Sequence, residues 1–192
     1  MTEDKYAPKQ YFSIFSHPRL KIEVFGTQDS KSAPAHVKTR LSDVRRNYQL
    51  HEENGDQLWL VLDKDHWMEI SHRSSTLRAL SGYVGRAQQQ KVQIATSNPC
   101  FEVWLLLHFD DLTEPEKAYK CTEIEHKIRS TGIPYNKSNL PLKEFTRARI
   151  EDAVKRAKLM DEGETQWFPE KCCTRIYKIV ELLLNRHLIS PT

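Results

Sequence analysis

Asp63 and Asp65 flank Lys64 where the most apolar run of the chain, Leu58-Trp59-Leu60-Val61-Leu62, stops. Two carboxylates two residues apart, at the point where a chain leaves a strand, can both turn toward one hard cation such as Mg²⁺ or Mn²⁺. In open α/β sheets ligands gather outside the carboxyl ends of the strands, so position adds to residue type. Asp-x-Asp is also a common surface-loop sequence in which the first Asp caps a turn, and the residues alone leave both readings open.

A second stretch, SNPCFEVWLLLHF (97–109), is almost wholly apolar with Glu102 set inside it. Asn98 suits a helix N-cap and Pro99 the first helical position. Glu102 would then lie in the first turn, where the helix dipole favours its charge. An ionised carboxylate is costly to bury without a partner. Two roles satisfy it: bonding the free backbone N–H groups of the helix start, or pointing into a crevice shared with Asp63-Lys64-Asp65 as a metal ligand or an orienter of ligand or water. Phe101, Trp104, Leu105 and Leu107 read as core, and His108 as a structural histidine.

The elements that must position these residues follow from periodicity. YFSIFSH (11–17) ends a helix, and Leu20–Phe25 alternates apolar and polar as a strand does. Residues 34–51 carry Val37, Leu41, Val44 and Tyr48 at helical spacing. The run 58–62 predicts a strand buried on both faces, 74–90 a helix, and 91–95 a strand followed at once by the helix of the second motif. Strands alternating with helices predict an α/β fold with a parallel Rossmann-like sheet. Beyond residue 112 no further strand is evident; 115–130, 142–160 and 169–188 all show helical spacing. The division expected is an α/β core over 1–112 and a helical extension over 113–192 packing on it.

Composition bounds the class. The 192 residues are 39% hydrophobic and 29% charged, which suits a globular chain and excludes a disordered or fibrous one. The net charge of +3 permits attraction to polyanions without demanding it. No apolar run approaches the roughly 20 residues that span a bilayer, and the polar start MTEDKYAPKQ is unlike a signal peptide. The four cysteines, at 100, 121, 172 and 173, include no CxxC pair. They read as reduced thiols of a cytoplasmic protein and disfavour a zinc site.

LWLVLDKDHW (58–67), SNPCFEVWLLLHF (97–109) and TRIYKIVELL (174–183) together resemble the RloB-like proteins, related to the abortive-infection component AbiLii. The resemblance covers most of the chain and implies a Toprim-like fold, in which a glutamate ending the first strand works with Asp-x-Asp to bind Mg²⁺ and drive phosphodiester chemistry. It implies Asp63 and Asp65 as metal ligands, a partner AAA-type ATPase (RloA-like) and a role in bacterial defence against phage. It marks Asn98 and Glu102 as motif residues without fixing their chemistry. Relatives open with a strand and Glu-Gly, whereas Tyr11-Phe12 here follows Met1-Thr2-Glu3 after a longer spacer, and that first strand and its glutamate have no counterpart.

The function expected is metal-dependent cleavage of RNA, tRNA included, or DNA. Asp63, Asp65 and Glu102 are the candidate catalytic groups, and Lys64, Ser97, Asn98 and Arg73 support substrate or motif. His66, Arg78, Arg86, Lys38, Arg40, Arg45 and Arg46 are further candidates for phosphate contacts. The rival reading, favoured by the missing first strand, is a non-enzymatic domain that binds and regulates the ATPase. Homo-oligomerisation is left open.

Overall fold

The computed structural model describes residues 6–16, 22–24, 43–44, 46–51, 55–64, 92–162 and 169–185. In chain order the elements are α1 (Ala7–Phe12), β1 (Trp59–Asp63), β2 (Gln93–Asn98), α2 (Glu102–Leu106), α3 (Cys121–Ser130), α4 (Arg147–Asp161), β3 (Cys173–Thr174) and α5 (Tyr177–Asn185). The sheet order is β1-β2-β3. β1 and β2 run parallel, Leu60 opposite Ile94 and Asp63 opposite Ser97. β3 is antiparallel to β2, Thr174 opposite Ser97 and Cys173 opposite Asn98.

The α/β class and the two apolar strands agree with the sequence, but the sheet is mixed rather than parallel. β3 is the reason: two residues long, it is too short to carry any periodic signal. The strand expected over 20–25 is not formed in its described part, where Ile22 and Val24 instead pack partly buried against the core. The helix expected over 74–90 lies outside the described residues. C-terminal to β2 the helix does not begin at once. Asn98 is still in the strand, the Asn98–Pro99 peptide is cis, and α2 opens only at Glu102 behind Phe101. Asn98 is therefore not an N-cap, and Pro99 is not a first helical residue.

α2 is buried on every side. Phe101, Val103, Trp104, Leu105 and Leu107 are wholly inaccessible. α4 closes over this core with Ile150, Ala153, Val154 and Ala157, the spacing of one helical stripe. From the other end of the chain α1 inserts Tyr11, whose ring meets Phe101, Trp104 and Phe145 edge-on at 6.0, 5.9 and 5.6 Å.

Cys100 and Cys121 are joined in a disulfide with Cα atoms 6.0 Å apart, which corrects the expectation of four reduced thiols. Their 21-residue separation hides an adjacency that only the fold creates. A cross-link closing a loop of that size contributes about 3 kcal/mol in the chain-entropy account. Cys172 and Cys173 are buried and take no part in that disulfide, and burial pushes the Cys172 thiol up to about 12.

His108 closes the aromatic cluster. Its Nδ1 lies 2.8 Å from the Trp104 carbonyl, which can only accept, so that nitrogen carries the proton. Nε2 is left to accept from the Tyr11 hydroxyl at 3.0 Å. Burial lowers the imidazole to about 3, against about 6.5 in an unfolded chain. Between those values the unfolded chain binds the extra proton, so this residue's contribution falls as pH drops, by about 1.4 kcal/mol per pH unit. Urea denaturation of wild type and His108→Gln across pH 4–6 is expected to give a difference in stability with that slope; parallel curves would refute a neutral buried imidazole.

Candidate functional site

The carboxyl ends of β1 and β2 meet β3 in one cross-strand row: Asp63, Ser97 and Thr174. Paired residues of neighbouring strands project to the same face, so one carboxylate and two hydroxyls share it. Ser97 and Thr174 are fully buried and joined at 2.8 Å between hydroxyls, while Asp63 keeps 9% of its surface. Thr174 Oγ1 also accepts the Ile176 N–H at 3.3 Å at the entry to α5. Oxygen donors alone line this row, which fits a hard cation and not a thiophilic one. Among the described residues no three His, Cys, Asp or Glu side chains stand close enough to hold a metal. Asp65, Arg73, His66, Arg78, Arg86, Lys38, Arg40 and Arg45 lie outside the described residues. Exposed Arg46 pairs with Asp43.

One residue further along, the side chains of Lys64 and Asn98 converge on the segment that leads into β3. Lys64 Nζ donates to the Pro169 carbonyl at 2.7 Å. Asn98 Nδ2 donates to the carbonyls of Pro169, Glu170 and Lys171 at 2.9, 2.9 and 2.8 Å. Of the residues expected to support the site, Lys64, Ser97 and Asn98 are thus brought together at one sheet edge.

Glu102 has other neighbours. It is fully buried, and its Oε1 accepts from the Tyr135 hydroxyl at 3.2 Å and pairs with Lys137 Nζ at 2.9 Å. Oε2 is buried and has no hydrogen-bond partner among the described residues. Both partners come from the loop after α3. Gly132, at φ +83°, takes the left-handed turn that ends that helix and aims the following residues back at α2. The expectation of a first turn open to the Asp63 crevice is corrected accordingly: a carboxylate enclosed by core is held by a lysine whose stem reaches in from the surface.

Sequence reasoning missed Tyr135, Lys137 and the Pro169–Lys171 carbonyls, which carry no motif. Thr174, Arg175 and Tyr177 do lie in a stretch singled out above. Arg175 forms a buried ion pair with Asp161 at 2.8 Å and sends its backbone N–H to the Thr96 carbonyl at 2.8 Å. The Tyr177 hydroxyl donates to the same Asp161 at 3.0 Å, and burial together with that carboxylate pushes the phenol up to about 12. α4, β2 and the entry to α5 are locked together by these groups. Arg147, Arg149, Arg156 and Lys158 are each paired with a carboxylate, Glu151, Glu144, Asp111 and Glu181.

The family model described as RloB-like protein matches residues 1–183. The chain belongs to the RloB-like family. No curated protein and no solved structure matches it. In this RloB-like chain no helix among the described residues is long and apolar enough to cross a membrane.

Removing one partner of an ion pair strands the other charge. Because the Lys137 side chain is 42% exposed, water discounts the loss. Lys137→Met is expected to destabilise the RloB-like fold by about 1–3 kcal/mol in urea denaturation, and Glu102→Gln in the same chain to recover most of it. A double variant as unstable as the sum of the singles would contradict the pairing.

Proposed function

We propose that this RloB-like chain is a metal-dependent nuclease with a Toprim-like fold, cleaving a phosphodiester bond in RNA or DNA at the carboxyl edge of its sheet. The observation that carries the reading is Asp63: an acid at the end of a buried parallel strand, in one cross-strand row with the hydroxyls of Ser97 and Thr174. Asp63 and Asp65 are the residues that would hold Mg²⁺ or Mn²⁺. Bound there, a divalent ion stabilises charge on the transferring phosphate and lowers the pKa of an attacking water. Lys64, adjacent to Asp63, places a compact positive charge where a phosphate oxygen would approach. Ser97 and Thr174 hold the strand ends in register beneath it. Glu102, engaged by Lys137 and Tyr135, braces the core around α2. The setting proposed is anti-phage abortive infection together with an AAA-type ATPase.

A regulatory domain of that ATPase is the second reading. The two are separated by incubating the full-length protein and an RloA-like AAA-type ATPase with tRNA and with DNA in Mg²⁺ or Mn²⁺. Divalent-dependent cleavage is expected from wild type, and loss to background from Asp63→Asn, with Glu102→Gln retaining activity. Cleavage undiminished in Asp63→Asn would sink the nuclease site; no cleavage by wild type would leave the regulatory reading.

A further inference from the structure

We propose that Asn98 is a positioning residue for the strand-end site, acting through the Pro169 carbonyl on Lys64 and so on the end of β1. This rests on the reading of Asp63 as a ligand of a hard divalent cation. A side-chain amide has two N–H donors, and that of Asn98 meets three carbonyl oxygens within 2.9 Å. The surroundings settle which way the amide faces: turned over, its oxygen would meet three others, and only the nitrogen can lie there. The Pro169 carbonyl, with two lone pairs, takes one N–H of Asn98 at 2.9 Å and Lys64 Nζ at 2.7 Å. One oxygen atom therefore bridges Asn98, the last residue of β2, and Lys64, the first residue past β1.

The bridge has a direction. β2 is fixed on both edges, by β1 along its length and by β3 at Ser97 and Asn98, so Asn98 stands on the rigid side. Lys64 is the first residue past β1, where pairing stops. The Pro169–Lys171 segment, with three carbonyls bound by Asn98, transmits the fixed frame to the Lys64 ammonium. Asp63 is the next residue back along the chain, and its carboxylate inherits the restraint. Groups that orient a metal ligand without touching the metal commonly govern affinity by 10–100-fold.

The probe is Mn²⁺ alone, titrated into the full-length chain and followed by electron paramagnetic resonance, with thermal unfolding as the folding control. Asn98→Ala is expected to weaken Mn²⁺ binding by about 10–100-fold. In a Lys64→Met background the same substitution is expected to change affinity by no more than about twofold, the ordinary error of additivity. Unchanged affinity in folded Asn98→Ala, or an equal loss in both backgrounds, would overturn the proposal. If Asn98→Ala does not fold, Asn98→Ser, which keeps one donor, is expected to show the same background dependence with a smaller loss. If Asp63→Asn binds Mn²⁺ as wild type does, the metal reading fails by itself. Hydrogen exchange then decides the linkage: Asn98→Ala must accelerate exchange in the peptide containing Lys64 as well as in 169–173, and acceleration confined to 169–173 overturns it.

Discussion

A helix with no solvent-facing side governs this structure. From Phe101 to Leu107 every side chain is enclosed, so each surrounding element is placed by its need to cover that surface: α1 with Tyr11, α4 with its apolar stripe, α3 and the loop behind it. The driving force is ordinary apolar burial, about 25 cal/mol for each Å² removed from water. The constraint is the one charge inside. An ionised Glu102 is costly to enclose without a cation beside it, and Lys137 supplies one from the same loop that brings Tyr135 onto α2.

The same helix sets the geometry of the sheet edge. Because β2 ends at Asn98 and α2 starts only at Glu102, the Asn98 side chain binds the incoming C-terminal segment instead of capping a helix. That segment returns as β3 and completes the row begun by Asp63 and Ser97. The site is thus assembled from parts of the chain far apart in sequence and joined by hydroxyl and carbonyl contacts, with Asp161 and Arg175 locking the outer side.

What was legible in the sequence was what periodicity and long apolar runs report. β1 and β2 declared themselves because both faces are buried, and Asp63 because a carboxylate stands out at the end of such a run. The two-residue β3 was silent, since its existence lies in its pairing with Ser97 and Asn98 and in no property of Cys173 or Thr174 alone. Asn98-Pro99 read as a helix start because the same dipeptide serves equally in a turn; only the position of Phe101 as the N-cap decides between them. The partners of Glu102 and the bond between Cys100 and Cys121 were invisible for one reason: each joins segments whose proximity is a product of the fold.

Gln10 shows how non-local the architecture is. Its side-chain amide behaves as a peptide group would in a ladder, donating to the Lys137 carbonyl at 3.1 Å and accepting the Leu140 N–H at 2.8 Å. The six-residue α1 to which it belongs is far too short to persist alone. Its stability is borrowed from contacts more than a hundred residues downstream, among them Phe145. Such distant closures come late in folding because the loop entropy precedes the reward. On a ribosome the consequence is an inversion: α1 is synthesised long before the segments that hold it, and its aromatic face must wait for them to emerge.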